Sequence, residues 1–312
     1  MHDVTRHWKH LEKVLSTQIS QVNPMKFYQA LVIFFAMFFW SIMLNADVII
    51  TKNIDYKSQS NDPEDRDLLD IYMPKDAVDV PVIVFFHGGA LLYGDKSYGK
   101  DIAIGLVERG YGLVSANYRL SPNHSHPSHV NDAAEATAWV INNIDSYGGD
   151  SDNVFIAGHS AGAYLATLVS IDNSIIEKNN VAHDKLKGTI LISPFLYIEE
   201  TAPQRIASNA VYTSIWGETK QDWLSASVTP FIGPDHNNIL VIYADGDDAW
   251  RKEQNTRFVQ DLKSEGCTNI AAIEVPDRNH KTIMSKIPDQ DDQIVDVISH
   301  FISQLELSNA HI

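Results

Sequence analysis

The stretch that decides the fold is Val154-Phe155-Ile156-Ala157-Gly158-His159-Ser160-Ala161-Gly162-Ala163. Its apolar first half predicts a short buried strand, and its second half predicts a helix that begins near Ala161. The turn between them has the pattern G-x-S-x-G, in which Gly158 and Gly162 leave room for a strained and crowded backbone. A serine on such a turn projects from the carboxyl edge of the sheet, so Ser160 is the candidate nucleophile. An ordinary strand-to-helix turn is the alternative.

Composition restricts the class of protein. The chain has 312 residues and a formal net charge of −16. This length, with an average apolar content, predicts one large core in a single α/β domain over residues 47–312. The acidic balance argues against nucleic acid or an anionic membrane surface as a partner. Cys267 is the single cysteine, so an internal disulfide is excluded and we interpret this thiol as structural.

The first 46 residues differ from the rest of the chain. Residues 30–44 form an apolar run of about 15 residues, which is short of the ~20 that a spanning helix needs. Lys26 precedes this run, and Ala46 follows it at a position suited to signal-peptide cleavage. We therefore predict an export signal that ends at Ala46, and a periplasmic or secreted protein.

Two points about this N-terminal segment stay open. Residues 27–44 are the alternative candidate for an uncleaved membrane anchor, and membrane contact is predicted only through them. Met25 followed by Lys26 would make a standard start for a signal, so we expect translation to begin at Met25. Residues 1–24 would then be an upstream extension.

Apolar runs and helical patterns alternate after residue 46. The run at residues 81–86 is continuous, as expected of a strand buried on both faces. The first two strands are expected to form an antiparallel edge. The alternation as a whole predicts a mostly parallel, doubly wound sheet flanked by helices. Besides the strand before Ser160, the predicted strands cover residues 48–54, 68–72, 81–86, 112–116, 189–192, 239–243 and 270–275, and the first predicted helix covers residues 98–109.

A set of motifs follows in a definite order along the chain: Leu69-Asp70-Ile71-Tyr72-Met73-Pro74, His87-Gly88-Gly89-Ala90, Gly94-Asp95-Lys96, Asn117-Tyr118-Arg119-Leu120 and the block from residue 147 to residue 166. With these motifs the chain resembles the α/β-hydrolase superfamily. Within it, the chain is similar to the HGG-containing carboxylesterases of the hormone-sensitive-lipase-like and BD-FAE-like groups. The resemblance spans most of residues 50–305 and implies an α/β-hydrolase fold with a small insert over the active site.

A serine nucleophile needs a base, and in this fold the chain order is serine, acid, histidine. His280 lies in a loop after a predicted strand and ahead of the last helix. There its imidazole can reach Ser160 and accept its proton at neutral pH. A surface-loop histidine without a catalytic role is the alternative. We predict His280 as the general base.

The acid follows the strand that ends near Ala244. The resemblance implies a G-x-x-D pattern here, with Ala244 in place of the glycine, and so indicates Asp247 as the residue that orients His280. The other aspartates would be solvated, or paired with Arg251 or Lys252. The alternatives for the acid are Asp248 and then Asp245.

Acyl transfer develops negative charge on a carbonyl oxygen, which needs preorganised N–H donors. The glycine-rich loop at Gly88 can approach a substrate closely, and the resemblance implies donors at Gly89 and Ala90, joined by Ala161. A positive φ at Ala90 would be strained. His87 is interpreted as a structural residue that hydrogen-bonds the loop.

Three further features of the sequence have more than one interpretation. His124, His126 and His129 are closely spaced, but no acidic or cysteine partner has ligand spacing, so we predict no metal site. Asp132 is predicted to be a cap or dipole partner of the next helix. The segment from 194 to 238, here called the 194–238 insertion, contains aromatic residues that either line an acyl pocket or pack a helical insert. The five candidates are Phe195, Tyr197, Trp216, Trp223 and Phe231.

The function that the resemblance implies is hydrolysis of a carboxylic ester through an acyl-enzyme, with a small-molecule ester as substrate and no cofactor. Amide hydrolysis by an arylformamidase or a peptidase on the same triad is one alternative. A catalytically inactive binding module is the other, and the presence of Ser160 and His280 counts against it. The natural ester and the oligomeric state are left open by the residues.

Overall fold

The computed structural model describes residues 47–57, 64–289 and 292–309. The predicted export signal, the alternative anchor at residues 27–44 and the predicted start at Met25 lie outside these residues, so all three stay predictions. Within the described part of the chain, no helix combines the length and the apolar character that crossing a membrane requires.

Eight strands form one sheet, in the spatial order β1-β2-β4-β3-β5-β6-β7-β8. Strands β1 and β2 pair antiparallel, as do β2 and β4, and all other neighbours are parallel. The predicted antiparallel edge and mostly parallel sheet are therefore confirmed. The strands are β1 Val48–Asp55, β2 Leu68–Pro74, β3 Val80–Phe86, β4 Gly112–Ala116, β5 Gly149–His159, β6 Leu186–Ile192, β7 Ile239–Ala244 and β8 Ile270–Val275.

Helices cover both faces of this sheet, because strands buried on both faces need two apolar cores. One core packs α2, α3 and α8 against the sheet, and the other packs α1 and α10 on the opposite face. The helices are α1 Lys100–Val107, α2 Ser128–Asn143, α3 Ala161–Ile171, α4 Asn173–Glu177, α5 Ile198–Ser208, α6 Thr213–Trp216, α7 Lys220–Ser225, α8 Ala249–Ser264, α9 Thr282–Ser285 and α10 Ile294–Asn309.

Several predicted boundaries differ from the structure, among them those of one helix and one strand. The helix expected over residues 98–109 is a 3-10 turn, Lys96–Gly99, followed by α1. The carboxylate of Asp95 accepts the N–H of Ser97 and caps this turn. The helical segment therefore begins two residues earlier than predicted, with the tighter winding of a 3-10 helix. The strand predicted over residues 189–192 begins at Leu186 instead. Neither difference moves the carboxyl edge of the sheet, where β5 ends at His159.

Candidate active site

The turn after β5 holds Ser160 in a strained backbone conformation, with φ 54° and ψ −114°. Close packing of backbone against backbone leaves no room for side chains on either side. A Cβ on Gly158 would lie 2.3 Å from the carbonyl carbon of Gly162, and a Cβ on Gly162 would lie 2.0 Å from the carbonyl oxygen of Phe86. The N–H of Ser160 donates to the carbonyl of Ile192 at 2.8 Å, which ties the turn to β6. The strain is local, and it aims the hydroxyl out of the sheet.

The loop between β8 and α9 brings His280 to this serine. Its Nε2 lies 2.9 Å from the Oγ of Ser160, and its Nδ1 lies 2.9 Å from Oδ1 of Asp247. Because an ionised carboxylate only accepts hydrogen bonds, Nδ1–H is the donor to Asp247. Nε2 is then free to accept the serine hydroxyl proton. The structure thus brings together three residues separated by up to 120 positions in the chain.

Asp247 is buried at the end of β7, and all of its polar contacts hold it as an anion. Its second oxygen accepts the hydroxyl of Ser193 at 2.5 Å and the N–H of Ala244 at 3.1 Å. Burial raises the pKa of this carboxyl, but the hydrogen bonds from His280 and Ser193 outweigh it and hold the pKa below its usual value. Ser193 was not predicted as a site residue. It directly follows β6, with φ 47°, and only the folded sheet places it beside Asp247.

The two neighbouring aspartates have other roles. The carboxylate of Asp245 accepts the N–H groups of Asp277 and Arg278 at 3.0 and 3.1 Å, and so holds the loop that carries His280. Asp248 precedes α8, where its carbonyl accepts the N–H of Arg251. Both of these aspartates are exposed, in agreement with the expectation that the spare carboxylates are solvated. The Nε of Arg251 lies 3.8 Å from Asp247 itself.

The loop after β3 lies across from the nucleophile and is supported by His87. This imidazole is fully buried, and its Nδ1–H donates to the carbonyl of Gly88 at 2.7 Å. It stacks on Tyr118 with ring centroids 4.4 Å apart, and the Tyr118 hydroxyl donates to the His87 carbonyl at 2.8 Å. Burial lowers the pKa of His87 to about 4, so the ring is neutral at neutral pH. These contacts agree with a structural role for His87.

The same loop carries the predicted oxyanion donors. Gly89 has φ 130°, and a Cβ there would lie 1.9 Å from the carbonyl oxygen of Tyr93. Ala90 has φ 55°, the strained conformation that a positive φ imposes on a residue with a side chain. Among the described residues, no backbone carbonyl accepts the N–H of Gly89 or Ala90. Both N–H groups are therefore available to a ligand. Gly88, Gly89 and Ala90 line the cavity above Ser160, whereas Ala161 is fully buried at the first position of α3.

A buried salt bridge attaches this loop to the antiparallel edge of the sheet. The ammonium of Lys96 lies 2.6 Å from Asp70 and 2.8 Å from the side-chain oxygen of Asn53. The amide oxygen of Asn117 accepts the Lys96 backbone N–H at 2.6 Å. Motifs far apart in the sequence thus meet in one network behind the glycine-rich loop.

His159, which precedes the nucleophile, was not predicted as a site residue. Its ring lies 4.9 Å from the ring of His280, and its Nε2–H donates to the His280 carbonyl at 3.0 Å. Burial and the neighbouring His280 lower the pKa of His159 to about 3, so the ring stays neutral. It positions the base through the backbone. No sequence signal marks it, because the residue between glycine and serine is variable in the G-x-S-x-G pattern.

A cavity of about 700 Å³ opens above Ser160. The 194–238 insertion supplies one wall through Phe195, Arg205, Tyr212 and Trp216. Two of the five aromatic residues named from the sequence, Phe195 and Trp216, therefore line the cavity. The other three, Tyr197, Trp223 and Phe231, are not among its lining residues, and they belong to or pack against the apolar core on that face of the sheet.

Asp132 is fully buried, and the prediction that it caps α2 is wrong. The residue lies beyond the first turn, and its carboxylate binds Arg119 through two hydrogen bonds at 2.7 and 2.8 Å and Lys57 at 2.5 Å. The cations come from distant parts of the chain, so the helical position gave no sign of them. Asp132 therefore anchors the segment after β1 and the loop after β4 to α2.

The histidine cluster and the cysteine also have structural contacts. Nε2 of His129 lies 3.1 Å from the hydroxyl of Ser121. The described residues contain no group of three or more histidine, cysteine or carboxylate side chains arranged to hold a metal ion. The thiol of Cys267 is buried and donates to the carbonyl of Gly233 at 3.1 Å.

Comparison with known proteins relates both the sequence and the fold to esterases. The BD-FAE family model matches residues 69–262. A carbohydrate esterase from gut microbiota, in truncated form, has a solved structure that superposes with a TM-score of 0.70 at 20% identity, over 82% of this chain and 96% of that one. At this identity the superposition establishes the fold.

Curated relatives match over parts of their length. Esterase LipC of Mycobacterium tuberculosis is 25% identical over 68% of this chain and 56% of its own. A probable isoprenylcysteine alpha-carbonyl methylesterase of Oryza sativa subsp. japonica is 38% identical over 36% of this chain and 27% of its own. The chain thus spans about half or less of these relatives.

Proposed function

Because the chain belongs to the BD-FAE family, we propose that it hydrolyses carboxylic esters through an acyl-enzyme formed on Ser160. The observation that carries the proposal is the hydrogen-bonded chain from Ser160 through His280 to Asp247, at the base of an open cavity. Relatives named esterases, such as LipC, support the same reaction class. The substrate is a small-molecule ester.

In the first half of the reaction, the Ser160 Oγ attacks the ester carbonyl as its proton moves to Nε2 of His280. The carbonyl π electrons move to the oxygen, which the N–H groups of Gly89, Ala90 and Ala161 stabilise as an oxyanion. The ester C–O bond then breaks, and the imidazolium of His280 gives its proton to the departing alcohol. The product of this half is the acyl-serine.

In the second half, His280 takes a proton from water as the water oxygen attacks the acyl carbon. The tetrahedral intermediate collapses, the bond to Oγ breaks, and the proton returns from His280 to Ser160. Asp247 keeps Nδ1 protonated throughout and stabilises the imidazolium in each half, without itself becoming protonated. No step requires a metal or a cofactor.

The test is hydrolysis of a p-nitrophenyl ester series, from acetate to decanoate, by the protein and its Ser160→Ala variant. We expect the wild-type protein to hydrolyse these esters. In the variant kcat should fall by about 10⁶-fold, because the nucleophile is lost. Activity that persists in Ser160→Ala would overturn the role of Ser160.

Two further assays separate the alternatives. A protein that leaves all esters intact but cleaves an N-formyl aryl amide would be an amide hydrolase on the same residues. A protein that also fails to react covalently with a fluorophosphonate probe would be a binding module without catalysis. Either outcome would contradict ester hydrolysis as the function.

A further inference from the structure

The charged side chains that line the active-site cavity are mostly cationic, although the chain as a whole is acidic. Arg205, Arg251 and Lys281 line the cavity, together with the single carboxylate of Asp101. The formal net charge of the chain is −16, but charges farther away than a Debye length of about 8–10 Å are largely screened. The local cations therefore decide which charge the cavity favours.

Arg251 extends from α8 to the base of the cavity and is only 4% exposed. One of its Nη atoms donates to the carbonyl of Ser193 at 2.8 Å. Its Nε lies 3.8 Å from Asp247, but that carboxylate already accepts hydrogen bonds from His280 and Ser193. Burial lowers the pKa of Arg251 to about 10, and repulsion by Arg205 adds to the shift against the attraction of Asp247. The group stays a cation at neutral pH.

Arg205 comes from α5 of the 194–238 insertion and has no carboxylate partner in the described part of the chain. Its guanidinium lies over the ring of Tyr212 at 5.5 Å, and its Nη1 lies 3.4 Å from the Tyr212 hydroxyl. Arg257 in α8 is a useful contrast. It covers the ring of Tyr197 in the same way but binds the Glu200 carboxylate at 2.9 Å. Arg205 has the aromatic support without the counter-ion.

The two guanidinium groups converge on one indole. Arg251 lies 4.7 Å and Arg205 lies 5.7 Å from the ring centroid of Trp250. The charge of Arg205 acts against that of Arg251, and both side chains line a cavity that is otherwise lined largely by apolar and aromatic side chains. An anion bound in the cavity would offset this repulsion and could accept hydrogen bonds from the guanidinium groups. A carboxylate fits because guanidinium presents paired donors that match its two oxygens.

We propose that the active-site cavity selects esters that carry a carboxylate group, which Arg205 and Arg251 bind while Ser160 attacks the ester carbonyl. This inference rests on the proposed ester hydrolysis and specifies its substrate class. The carboxylate can belong to the acyl part or to the alcohol part of the ester, and the experiment distinguishes the two.

The experiment compares two matched ester pairs. For the acyl part, the pair is the mono-p-nitrophenyl ester of adipate and p-nitrophenyl hexanoate, which have the same chain length. For the alcohol part, the pair is para-acetoxybenzoate and its methyl ester. In each pair, the ratio of kcat/KM values is divided by the ratio of the alkaline hydrolysis rates, which removes the difference in intrinsic reactivity. We expect the charged ester to be favoured by about tenfold or more in one pair, because hydrogen bonds between charged groups are strong.

Arg205→Met should remove most of that preference, and Arg205→Lys should restore part of it by restoring the charge. The matched control is Arg257→Met, which removes the same charge from a residue outside the cavity and should leave the ratio as in the wild type. In the wild-type protein the preference should also fall as salt is added, a readout that needs no variant.

Two results would overturn the inference. One is hydrolysis of the neutral esters with no preference for either charged ester, which leaves ester hydrolysis itself standing. The other is a preference that survives in Arg205→Met and does not respond to salt. Hydrolysis of no ester in either pair would instead contradict the proposed function, and the inference with it.

Discussion

The floor of the active-site cavity and its wall are built in different ways. The floor consists of Ser160, Asp247, His280 and the loop at residues 87–90, all at the ends of neighbouring strands. The wall is the 194–238 insertion, whose short helices follow the end of a strand instead of lying at one. Hydrogen bonds and core packing hold it against α3 and α8; for example, the Tyr164 hydroxyl donates to the carbonyl of Ala226 at 2.7 Å.

This contrast separates the residues that carry out the reaction from the residues that select the substrate. In the floor, directed hydrogen bonds fix Ser160, His280 and Asp247 to one another and to neighbouring strands and loops, so small displacements are resisted. In the wall, Phe195, Tyr212 and Trp216 form a continuous aromatic surface by stacking and edge contacts. Such contacts tolerate changes of shape better than directed hydrogen bonds do. Changes in the floor should therefore act on the rate of reaction, and changes in the wall on the choice of substrate.

After Ser160→Ala, the largest effect is expected for Asp247→Asn. The amide cannot hold Nδ1 of His280 protonated, so the ring is presented to Ser160 in the wrong tautomer, and kcat should fall by about 10⁴-fold. Asp248→Asn is the matched control, and it should leave kcat within about a few-fold of wild type, because its carboxylate makes no contact with His280. Steady-state kinetics on a p-nitrophenyl ester measures both. Equal losses in the two variants would contradict the assignment of the acid.

Gly89→Ala should be the next most damaging change. The added Cβ would lie 1.9 Å from the carbonyl oxygen of Tyr93 and would displace the N–H groups of the loop. Loss of an oxyanion donor costs about 10²–10³-fold in kcat. Gly233→Ala, in the insertion, has no atom within 4 Å of its added Cβ and should leave kcat unchanged. A wild-type kcat in Gly89→Ala would show that this loop does not stabilise the oxyanion.

A smaller effect is expected on the free energy of unfolding at acidic pH, and it comes from His129 in α2. Burial lowers the pKa of His129 to about 3, aided by His126 and opposed by Asp132. The unfolded chain binds a proton here below about pH 6.5, and the folded protein does so only near pH 3. The contribution of His129 to stability is therefore present above pH 6.5 and is lost as the pH falls, by about 1.4 kcal/mol per pH unit.

Urea unfolding of wild type and His129→Gln between about pH 7 and pH 4 tests this prediction. On acidification the free energy of unfolding should fall less steeply in the variant than in wild type. The difference in slope should be what one bound proton contributes, about 1.4 kcal/mol per pH unit. His300→Gln is the control, because His300 is exposed on α10 and should leave the slope unchanged. Parallel slopes for wild type and His129→Gln would mean that His129 is protonated in the folded protein.

The smallest effect is expected in the wall itself. Trp216→Phe enlarges the cavity beside Phe195 and should shift the acyl-chain preference toward longer chains by about a few-fold in kcat/KM, mainly through KM. Trp223→Phe changes the same side chain outside the cavity, where its Nε1–H donates to the carbonyl of Gly217 at 3.2 Å. It should leave the chain-length profile unchanged. A p-nitrophenyl ester series measures both profiles, and a fall in kcat alone for Trp216→Phe would contradict the division between floor and wall.

The sequence by itself predicted the strand-turn-helix around Ser160 and the mostly parallel sheet. These features depend on local periodicity and on small residues at fixed spacing, which a short stretch of chain specifies without its surroundings. The order of serine, acid and histidine, and the preference for Asp247 over Asp248, followed from the resemblance to the α/β-hydrolases. Among the carboxylates of the described residues, that of Asp247 is the one hydrogen-bonded to His280.

Only the tertiary structure decided the roles that depend on distant neighbours. The position of Asp132 in its helix predicted a cap, but cations from two other segments turn it into a buried ion-pair acceptor. The five aromatic candidates of the insertion had equivalent patterns, and folding placed Phe195 and Trp216 on the cavity, together with Tyr212, which the sequence had not singled out. Arg205 and Arg251 are 46 residues apart in the chain, and both lie against the indole of Trp250. Local pattern cannot encode such contacts, because burial and charge pairing are properties of the assembled fold.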